Sequence, residues 1–374
     1  MKENRYSLSI ISKKHYLCNM FHLDVNRFIE EKSLFFQKDK ILVALSGGAD
    51  SVALLRVLLA LGYTCEAAHC NFHLRGKESD RDENFVRGLC NELNILLHVV
   101  HFDTQTYATK HRISIEMAAR EMRYEWFEKL RQECDASVIA VAHHRDDSVE
   151  TFLLNLIRGT GINGLKGIAP LNGHIVRPLL NVSRQDILQY LEHLHQDYVT
   201  DSTNLQDEYM RNKIRLNILP MLGELNPSVS ESIAETANRL AETSLVYNKE
   251  MAEAKNRVIK RNGNNLKAIH VERLLTEVAP ASLLFEILYP LGFKPLQIKD
   301  IFHSLSGQPG KRFISPEWEA VRDREYLLLQ TRTIESTTDP TPQLCIKTLD
   351  LSDDFIIPKE KDVACLGADK VIRP

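Results

Sequence analysis

Two short stretches carry most of the chemistry this chain offers. The first is Ser46-Gly47-Gly48-Ala49-Asp50-Ser51, set between the aliphatic run 41–45 and the apolar helical pattern of 51–61. A hexamer in that place is the turn from a buried strand into a helix. Two glycines let the backbone turn tightly with no Cβ in the way, which exposes consecutive N–H groups. The unpaired donors and positive dipole end of the helix that starts there complete an anion cradle built from main chain. Ser46 and Ser51 add hydroxyl donors. Asp50 is the odd member, because a carboxylate beside bound phosphate repels it. A divalent cation between the two removes the conflict, and Mg2+ commonly bridges carboxylate and phosphate oxygens. A glycine turn capped by serine is the ordinary alternative.

The second stretch is His143-His144-Arg145-Asp146-Asp147-Ser148-Val149-Glu150. Val149, Phe152, Leu153, Leu156 and Ile157 fall at i, i+3, i+4, i+7 and i+8, an apolar helical stripe. Asp146, Asp147 and Glu150 then lie together off that stripe in the first turn. Carboxylates this close raise one another's pKa unless a cation offsets the charge. Mg2+ and the ammonium of an amine substrate both qualify, and His beside Asp also suits Zn or Mn. His143 and His144 end the preceding strand and are placed to meet a nucleotide. Three smaller groups accompany these. His69, Asn71, Phe72 and Arg75 share a loop after the run 65–70, where an amide, an aromatic ring and a guanidinium suit a base or a phosphate. Arg120 and Arg123 border the apolar side of a helix over 114–134; Arg120 is expected to face phosphate, with an ion pair to Glu116 as the alternative. Arg211, Lys213 and Arg215 form the basic cluster of 209–217.

These residues need a frame. Short aliphatic runs at 41–45, 65–70, 96–102 and 137–142 alternate with helical patterns at 51–61, 80–93 and 114–134. Such alternation predicts a parallel sheet with helices on both faces, which binds ligands beyond the carboxyl ends of its strands. At 374 residues, with 44% hydrophobic and 26% charged, the chain is long enough for two or three domains. Its apolar runs are cut by charges, as Arg56 cuts 51–61, and none reaches the roughly 20 residues of a membrane span. The first residues lack the apolar core of a signal peptide. Seven cysteines without a CxxC pair point to a reduced, cytoplasmic protein. Net charge is only −3, so a polyanion partner must be met by local clusters such as 209–217, 255–267 and 310–313.

No GK[ST] follows the hexamer and GxGxxG is absent, which excludes the Walker and dinucleotide loops. The hexamer instead resembles the SGGxDS loop of the ATP pyrophosphatase superfamily, which splits ATP into AMP and pyrophosphate through an adenylated substrate. With "HCNFHLRGKESDRDENF", "IEMAAREMRYEWF", "AHHRDDSVETFLLNLIRGTGINGLKGI", "RPLL" and "YVTDSTNLQDEYMRNKIRLNILP" in this order, the chain is similar to the tRNA(Ile)-lysidine synthetases. The similarity is specific from about residue 40 to 228 and looser from 268 to 330.

The resemblance implies an α/β fold: a Rossmann-like parallel sheet with a PP-loop of the N-type ATP pyrophosphatases, then a mainly helical domain and a truncated C-terminal domain. It implies ATP and Mg2+, and as partners a CAU-anticodon isoleucine tRNA and free L-lysine. The wobble cytidine is adenylated at O2, and lysine then displaces AMP at C2 to give lysidine. Carried over, Ser46, Gly47, Gly48, Ala49, Asp50 and Ser51 hold the phosphates, with His69 and His143 at the nucleotide and Asp50 and Asp147 at the metal. Asp146, Asp147 and Glu150 are candidates for receiving lysine's proton, Arg120 is a further catalytic candidate, and Asn71, Phe72, Arg75, Arg211, Lys213 and Arg215 are assigned to substrate. A homodimer is expected by analogy. The expected domains are a dispensable extension 1–19 ahead of a start at Met20, a catalytic domain 20–222, a tRNA-binding domain 223–335, and 336–374 as a linker and the start of an incomplete domain. Another PP-loop tRNA-modifying enzyme and a non-catalytic tRNA-binding scaffold are the alternatives.

Overall fold

The computed structural model describes residues 20–200, 209–261 and 266–332. The expected extension 1–19, residues 201–208 of the last motif, the linker at 334–343 and the remnant 336–374 lie outside the described residues. The chain divides into two compact units, 1–250 and 251–374.

In the first unit the strands are β1 (Lys40–Ala44), β2 (Thr64–Asn71), β3 (Leu97–His101), β4 (Val138–Ala140), β5 (Leu171–Asn172) and β6 (Ile175–Val176). Their order is β3-β2-β1-β4-β6-β5. β1 pairs in parallel with β2 on one side and β4 on the other, Val43 opposite both Ala67 and Ala140. The chain therefore winds outward from β1 through β2 and β3, then returns to its other side with β4. That reversal makes the carboxyl ends of β1 and β4 a topological switch point, where such sheets leave a crevice. Only the short β5–β6 hairpin is antiparallel.

The helices are α1 (20–31), α2 (Ala49–Ala60), α3 (Lys77–Glu92), α4 (Thr104–His111), α5 (Ile115–Glu133), α6 (Arg145–Arg158) and α7 (Arg184–His193). Strand alternation sends Ile41 and Val43 into a core with Val52, Leu55 and Leu58 of α2, Phe21, Val25 and Ile29 of α1, and Ile187 and Leu191 of α7. Leu42 points the other way, onto Phe127 and Leu130 of α5. Each fully buried aliphatic side chain contributes about 1.5–3 kcal/mol, so β1 is clamped from both faces. The element switches fall within a few residues of those expected. α4 and the hairpin were not anticipated. The α6 stripe is shorter than its pattern: Val149, Phe152 and Leu153 are buried, while Leu156 and Ile157 are more than half exposed.

Next come α8 (Tyr209–Lys213), a π-helical turn Ile214–Ile218, α9 (Leu219–Leu225) and α10 (Val229–Val258). Pro220 stands in the first turn of α9 and has no N–H to give, so the preceding turn cannot keep the regular hydrogen-bond spacing. Ile214 seats this segment against Val149 and Phe152 of α6.

The expected mainly helical domain 223–335 opens with α10, and the second unit overlaps the rest of it. That unit also carries an antiparallel sheet in the order β7-β8-β11-β10-β9, from β7 (Ile259–Arg261), β8 (Leu266–His270), β9 (Arg312–Ile314), β10 (Trp318–Arg322) and β11 (Tyr326–Thr331). Helices α11 (Val271–Thr276), α12 (Pro280–Leu288) and α13 (Pro295–Ser304) contribute Leu274, Leu284, Leu288 and Ile301 to a core with Ile269, Leu327 and Leu329 of the sheet. Leu327 and Leu329 are buried while their neighbours are not, a period of two that specifies strand.

No described helix is long and apolar enough to cross a membrane. The four described cysteines, Cys65, Cys70, Cys90 and Cys134, are free. Burial pushes the Cys65 and Cys70 thiols up to about 12 and Cys90 to about 11. The thiolate is the reactive form, so native protein at pH 8 should leave these three unalkylated by iodoacetamide while denatured protein reacts fully. Mass mapping of the labelled peptides checks this, and rapid native labelling of Cys70 would contradict it.

Candidate active site

The turn from β1 to α2 forms the floor. Gly47 has φ +93°, a conformation that favours glycine, and a Cβ there would also crowd Val86 Cγ2 at 3.2 Å. The amides of Ser46 and Gly47 each donate to Ser51 Oγ at 3.2 Å, and Gly48 donates to Ser46 Oγ at 3.4 Å. Ser51 in turn donates to the Gly48 carbonyl at 2.9 Å. Three successive N–H groups thus converge on hydroxyl oxygens at the N-terminus of α2, the arrangement a phosphate oxygen requires. His69 lies beneath the turn, its Nδ1 donating to the Leu45 carbonyl at 2.8 Å; burial holds its pKa below the usual histidine range.

Asp50, in the first turn of α2, faces the N-terminus of α6. The buried ring of His144 lies between them: its Nε2 is 3.8 Å from Asp50 Oδ1 and 3.5 Å from Asp147 Oδ2, and its Nδ1 is 3.8 Å from Asp146 Oδ2. That Nδ1 is buried and has no hydrogen-bond partner among the described residues. Each carboxylate has a protein partner as well. Arg184 Nη1 donates to both oxygens of Asp50. The Arg184 backbone N–H donates to Asp146 Oδ2 at 2.8 Å, and that of His144 to Asp147 Oδ2 at 3.0 Å. Glu150, 2% exposed, is gripped by Arg215 through Nε at 2.6 Å and Nη2 at 3.0 Å. Desolvation pushes the Asp50 pKa up; His144 and Arg184 pull against it, and Asp147 adds to it.

Among the described residues two guanidiniums, Arg184 and Arg215, pair with Asp50 and Glu150, while Asp146 and Asp147 are held by backbone N–H groups. Hard carboxylate oxygens gathered at one crevice fit Mg2+, which is held by one or two carboxylates and completes its shell with water and phosphate. Among the described residues no group of three His, Cys, Asp or Glu converges as a metal cage.

The wall behind β4 is basic. His143 Nδ1 accepts from Arg177 Nε at 3.2 Å. Desolvation lowers the His143 pKa to about 4, against the pull of Asp147 and with Arg177, Arg120 and Arg211 adding to the drop. His143 is thus neutral at pH 7, with its proton on Nε2. Arg120 is exposed and lies over the Tyr124 ring at 5.1 Å. Arg211, on α8, is half-buried and Lys213 is exposed.

The loop after β2 is tied to its own neighbourhood. The Asn71 amide donates to Glu83 Oε2 at 2.9 Å and accepts from the His73 N–H at 3.0 Å. Arg75 pairs with Asp82 at 3.0 Å. Phe72 stacks on Phe102 at 5.4 Å and carries the Arg123 guanidinium at 5.1 Å. Hydrogen bonding therefore places Asn71 and Arg75 with α3, outside the carboxylate cluster. The glycine-rich connector 161–168 is fastened to α6 through Asn155 to the Gly164 carbonyl at 2.7 Å and the Ile168 N–H to Ser148 Oγ at 3.0 Å.

Sequence reasoning missed Arg184 and Arg177. One signal for Arg184 was available: a cation at the first position of a helix, just after its Ser183 cap, opposes the helix dipole and calls for a nearby anion.

Comparison with known proteins agrees with this geometry. The PP-loop domain family matches residues 19–222, and the TilS substrate binding domain matches 261–332. The tRNA(Ile)-lysidine synthase of Bacteroides thetaiotaomicron is 58% identical over 352 residues, covering 94% of this chain and 82% of that protein. That of Parabacteroides distasonis is 45% identical with the same coverage, and that of Porphyromonas gingivalis 46% identical over 81% of this chain and 66% of that protein. A solved U34-tRNA thiolase, NcsA from Methanococcus maripaludis with its [4Fe-4S] cluster, aligns with a TM-score of 0.52 at 20% identity over 61% of this chain and 80% of its own, a likeness of fold. A phosphate cradle and a carboxylate crevice at the switch point, with two matched domains and relatives this similar over most of their length, establish that the chain belongs to the tRNA(Ile)-lysidine synthase family.

Proposed function

We propose that the chain joins L-lysine to C2 of the wobble cytidine of the AUA-reading isoleucine tRNA, using ATP and releasing AMP and pyrophosphate. The observation that carries this reading is the meeting, at one switch point, of the Ser46–Ser51 cradle with Asp50, Asp146, Asp147 and Glu150. The cradle amides hold ATP's phosphates. Cytidine O2 attacks the α-phosphorus, an O–P bond forms, and the bond to pyrophosphate breaks with its electron pair leaving on pyrophosphate. The exocyclic O2, a poor leaving group by itself, now departs as AMP when the lysine ε-amine attacks C2 and the C2–O2 bond breaks with its electron pair on AMP. Mg2+, held by Asp50 and Asp147, supplies positive charge toward the phosphates when bound.

Lysine enters as an ammonium, and neutralising an amine of pKa ~10.4 at pH 7 costs about 4.6 kcal/mol. A carboxylate that first binds the ammonium and then receives its proton lowers that cost. Asp146 and Asp147 are partly exposed and each holds a backbone N–H on Oδ2, but Asp147 Oδ1 lies 3.9 Å from Arg215 Nη2, so among the described residues Asp146 is the freer of the two for this task. Glu150 accepts both donors of Arg215 and serves only if that guanidinium moves.

The test is transfer of radiolabelled lysine to unmodified isoleucine tRNA with ATP and Mg2+, leaving out each component in turn. Label in tRNA that needs every component, with stoichiometric AMP, is the expected result. Absence of both label and tRNA-dependent AMP would overturn the proposal.

A further inference from the structure

Arg184 is held where its side chain meets the nucleotide cradle. Its backbone is anchored twice. Ser183 caps α7, accepting from the Asp186 N–H at 3.1 Å while Asp186 accepts back from the Ser183 N–H at 2.8 Å. The Arg184 N–H is spent on Asp146. The long side chain reaches across the crevice to the first turn of α2, where only Nη1 is used, on both oxygens of Asp50. Among the described residues Nε and Nη2 have no protein acceptor, and the side chain is 41% exposed. This is unlike Arg215, which gives two nitrogens to Glu150 in a fork. Two donors of Arg184 are therefore uncommitted, on a group that touches the residue three positions beyond the Gly47 amide of the cradle.

Two costs attend this arrangement. A cation in the first turn of α7 opposes the helix dipole. A one-nitrogen contact also forgoes the bidentate geometry that makes arginine–carboxylate pairs strong. Neither is offset by burial, since both partners are partly exposed. A pair built only for stability would be placed otherwise. A guanidinium parked on a carboxylate beside a phosphate cradle suits a group that changes partners when a polyphosphate arrives.

Resting on the function proposed above, we infer that Arg184 is a pyrophosphate-binding residue: its guanidinium neutralises Asp50 before ATP binds, then turns to the β- and γ-phosphates and receives the charge of the departing pyrophosphate. The exchange needs no net proton transfer. Asp50 gives up one cation and is left to share Mg2+, while the guanidinium moves to phosphate oxygens that fit its planar donors. As the α-phosphorus gains its bond to cytidine O2 and loses its bond to the bridging oxygen, the electron pair stays on pyrophosphate, where Nε and Nη2 donate. Such donors count most in the transition state, because the charge they meet develops there.

The experiment compares wild type, Arg184→Gln and Arg184→Lys, after circular dichroism confirms that all three melt cooperatively at similar temperatures. Calorimetry measures binding of inorganic pyrophosphate with Mg2+, of ATP and of AMP. Arg184→Gln is expected to weaken pyrophosphate and ATP about 10- to 100-fold, as loss of charged hydrogen bonds does, and to leave AMP within about threefold. Arg184→Lys should recover part of the pyrophosphate affinity. Single-turnover adenylation should fall further than ATP affinity does. Equal weakening of AMP and pyrophosphate would make Arg184 a prop for Asp50 and overturn the inference, as would unchanged pyrophosphate binding. Wild-type lysine transfer is measured alongside: if it is absent the proposed function fails whatever pyrophosphate does, and if it is present with pyrophosphate binding unchanged in Arg184→Gln, only the role of Arg184 fails.

Discussion

Replacing Asp50 with asparagine is expected to abolish lysine transfer, by at least about 1,000-fold, while leaving the protein as stable as wild type or slightly more so at pH 7. Asparagine keeps the shape of the side chain and removes its charge. The activity loss follows from the charge being what the cradle lacks: Ser46, Gly47 and Gly48 supply donors for phosphate but nothing to hold a cation. Loss of one group that stabilises developing charge costs 100- to 1,000-fold, and on the proposed function a metal position is lost with it. The stability argument has the opposite sign. Desolvation raises the Asp50 pKa above the ordinary carboxylate value in spite of His144 and Arg184. Between the unfolded and the raised folded pKa, the native state binds more protons than the unfolded one. Stability from this group is therefore greatest below its unfolded pKa and declines as pH rises through the folded pKa. At neutral pH the charge works against the fold, and removing it relieves that. Lysine incorporation and a thermal melt of the same preparation check both halves. A variant that loses activity because it melts early would refute the reading of Asp50 as a residue kept for function at the expense of stability.

The Glu150–Arg215 pair should behave in the reverse way. Arg215→Ala leaves a carboxylate that is 2% exposed without its cation. Removing one partner of a buried pair costs 3–5 kcal/mol. Arg215 is itself 42% exposed, so solvent screens part of this, and about 2–3 kcal/mol is the expected loss. Glu150→Gln should be milder, because an amide carbonyl still accepts one Arg215 donor. Replacing both with leucine should restore most of the stability, since the desolvation of both charges disappears with them, yet should not restore lysine transfer. Urea titrations of the single and double variants give the coupling energy directly. A coupling near zero would mean that the pair is a surface contact of little weight and that α6 is held to the π-helical turn by Val149, Phe152 and Ile214 alone. On the proposed function this pair also bears on the choice of base for lysine: Arg215 holds both Glu150 oxygens and lies 3.9 Å from Asp147 Oδ1, which leaves Asp146 the less engaged of the three among the described residues.

Sequence alone determined the frame and which candidate groups meet at its switch point. The alternation of aliphatic runs with helical patterns placed β1 to β4 and α2, α3 and α5 within a few residues, because buried strands and amphipathic helices leave periodic signals that local composition preserves. The hexamer Ser46–Ser51 read as a phosphate cradle because its glycines and serines have meaning only at a strand-to-helix turn. The α6 carboxylates read as a cluster because helical spacing alone puts Asp146, Asp147 and Glu150 together. The sheet of the second unit was legible in principle, since Leu327 and Leu329 alternate with less buried neighbours, but short alternations compete poorly with helical patterns on either side. Tertiary structure alone decided which partner each charge takes. Asp50 and Arg184 are separated by 134 positions, Glu150 and Arg215 by 65, and no periodicity links them. It likewise decided that Asn71 and Arg75, expected at substrate, pair with Glu83 and Asp82 of α3. A local pattern specifies what a residue is able to do; the packing of distant elements sets the charges and donors it meets, and these select the role.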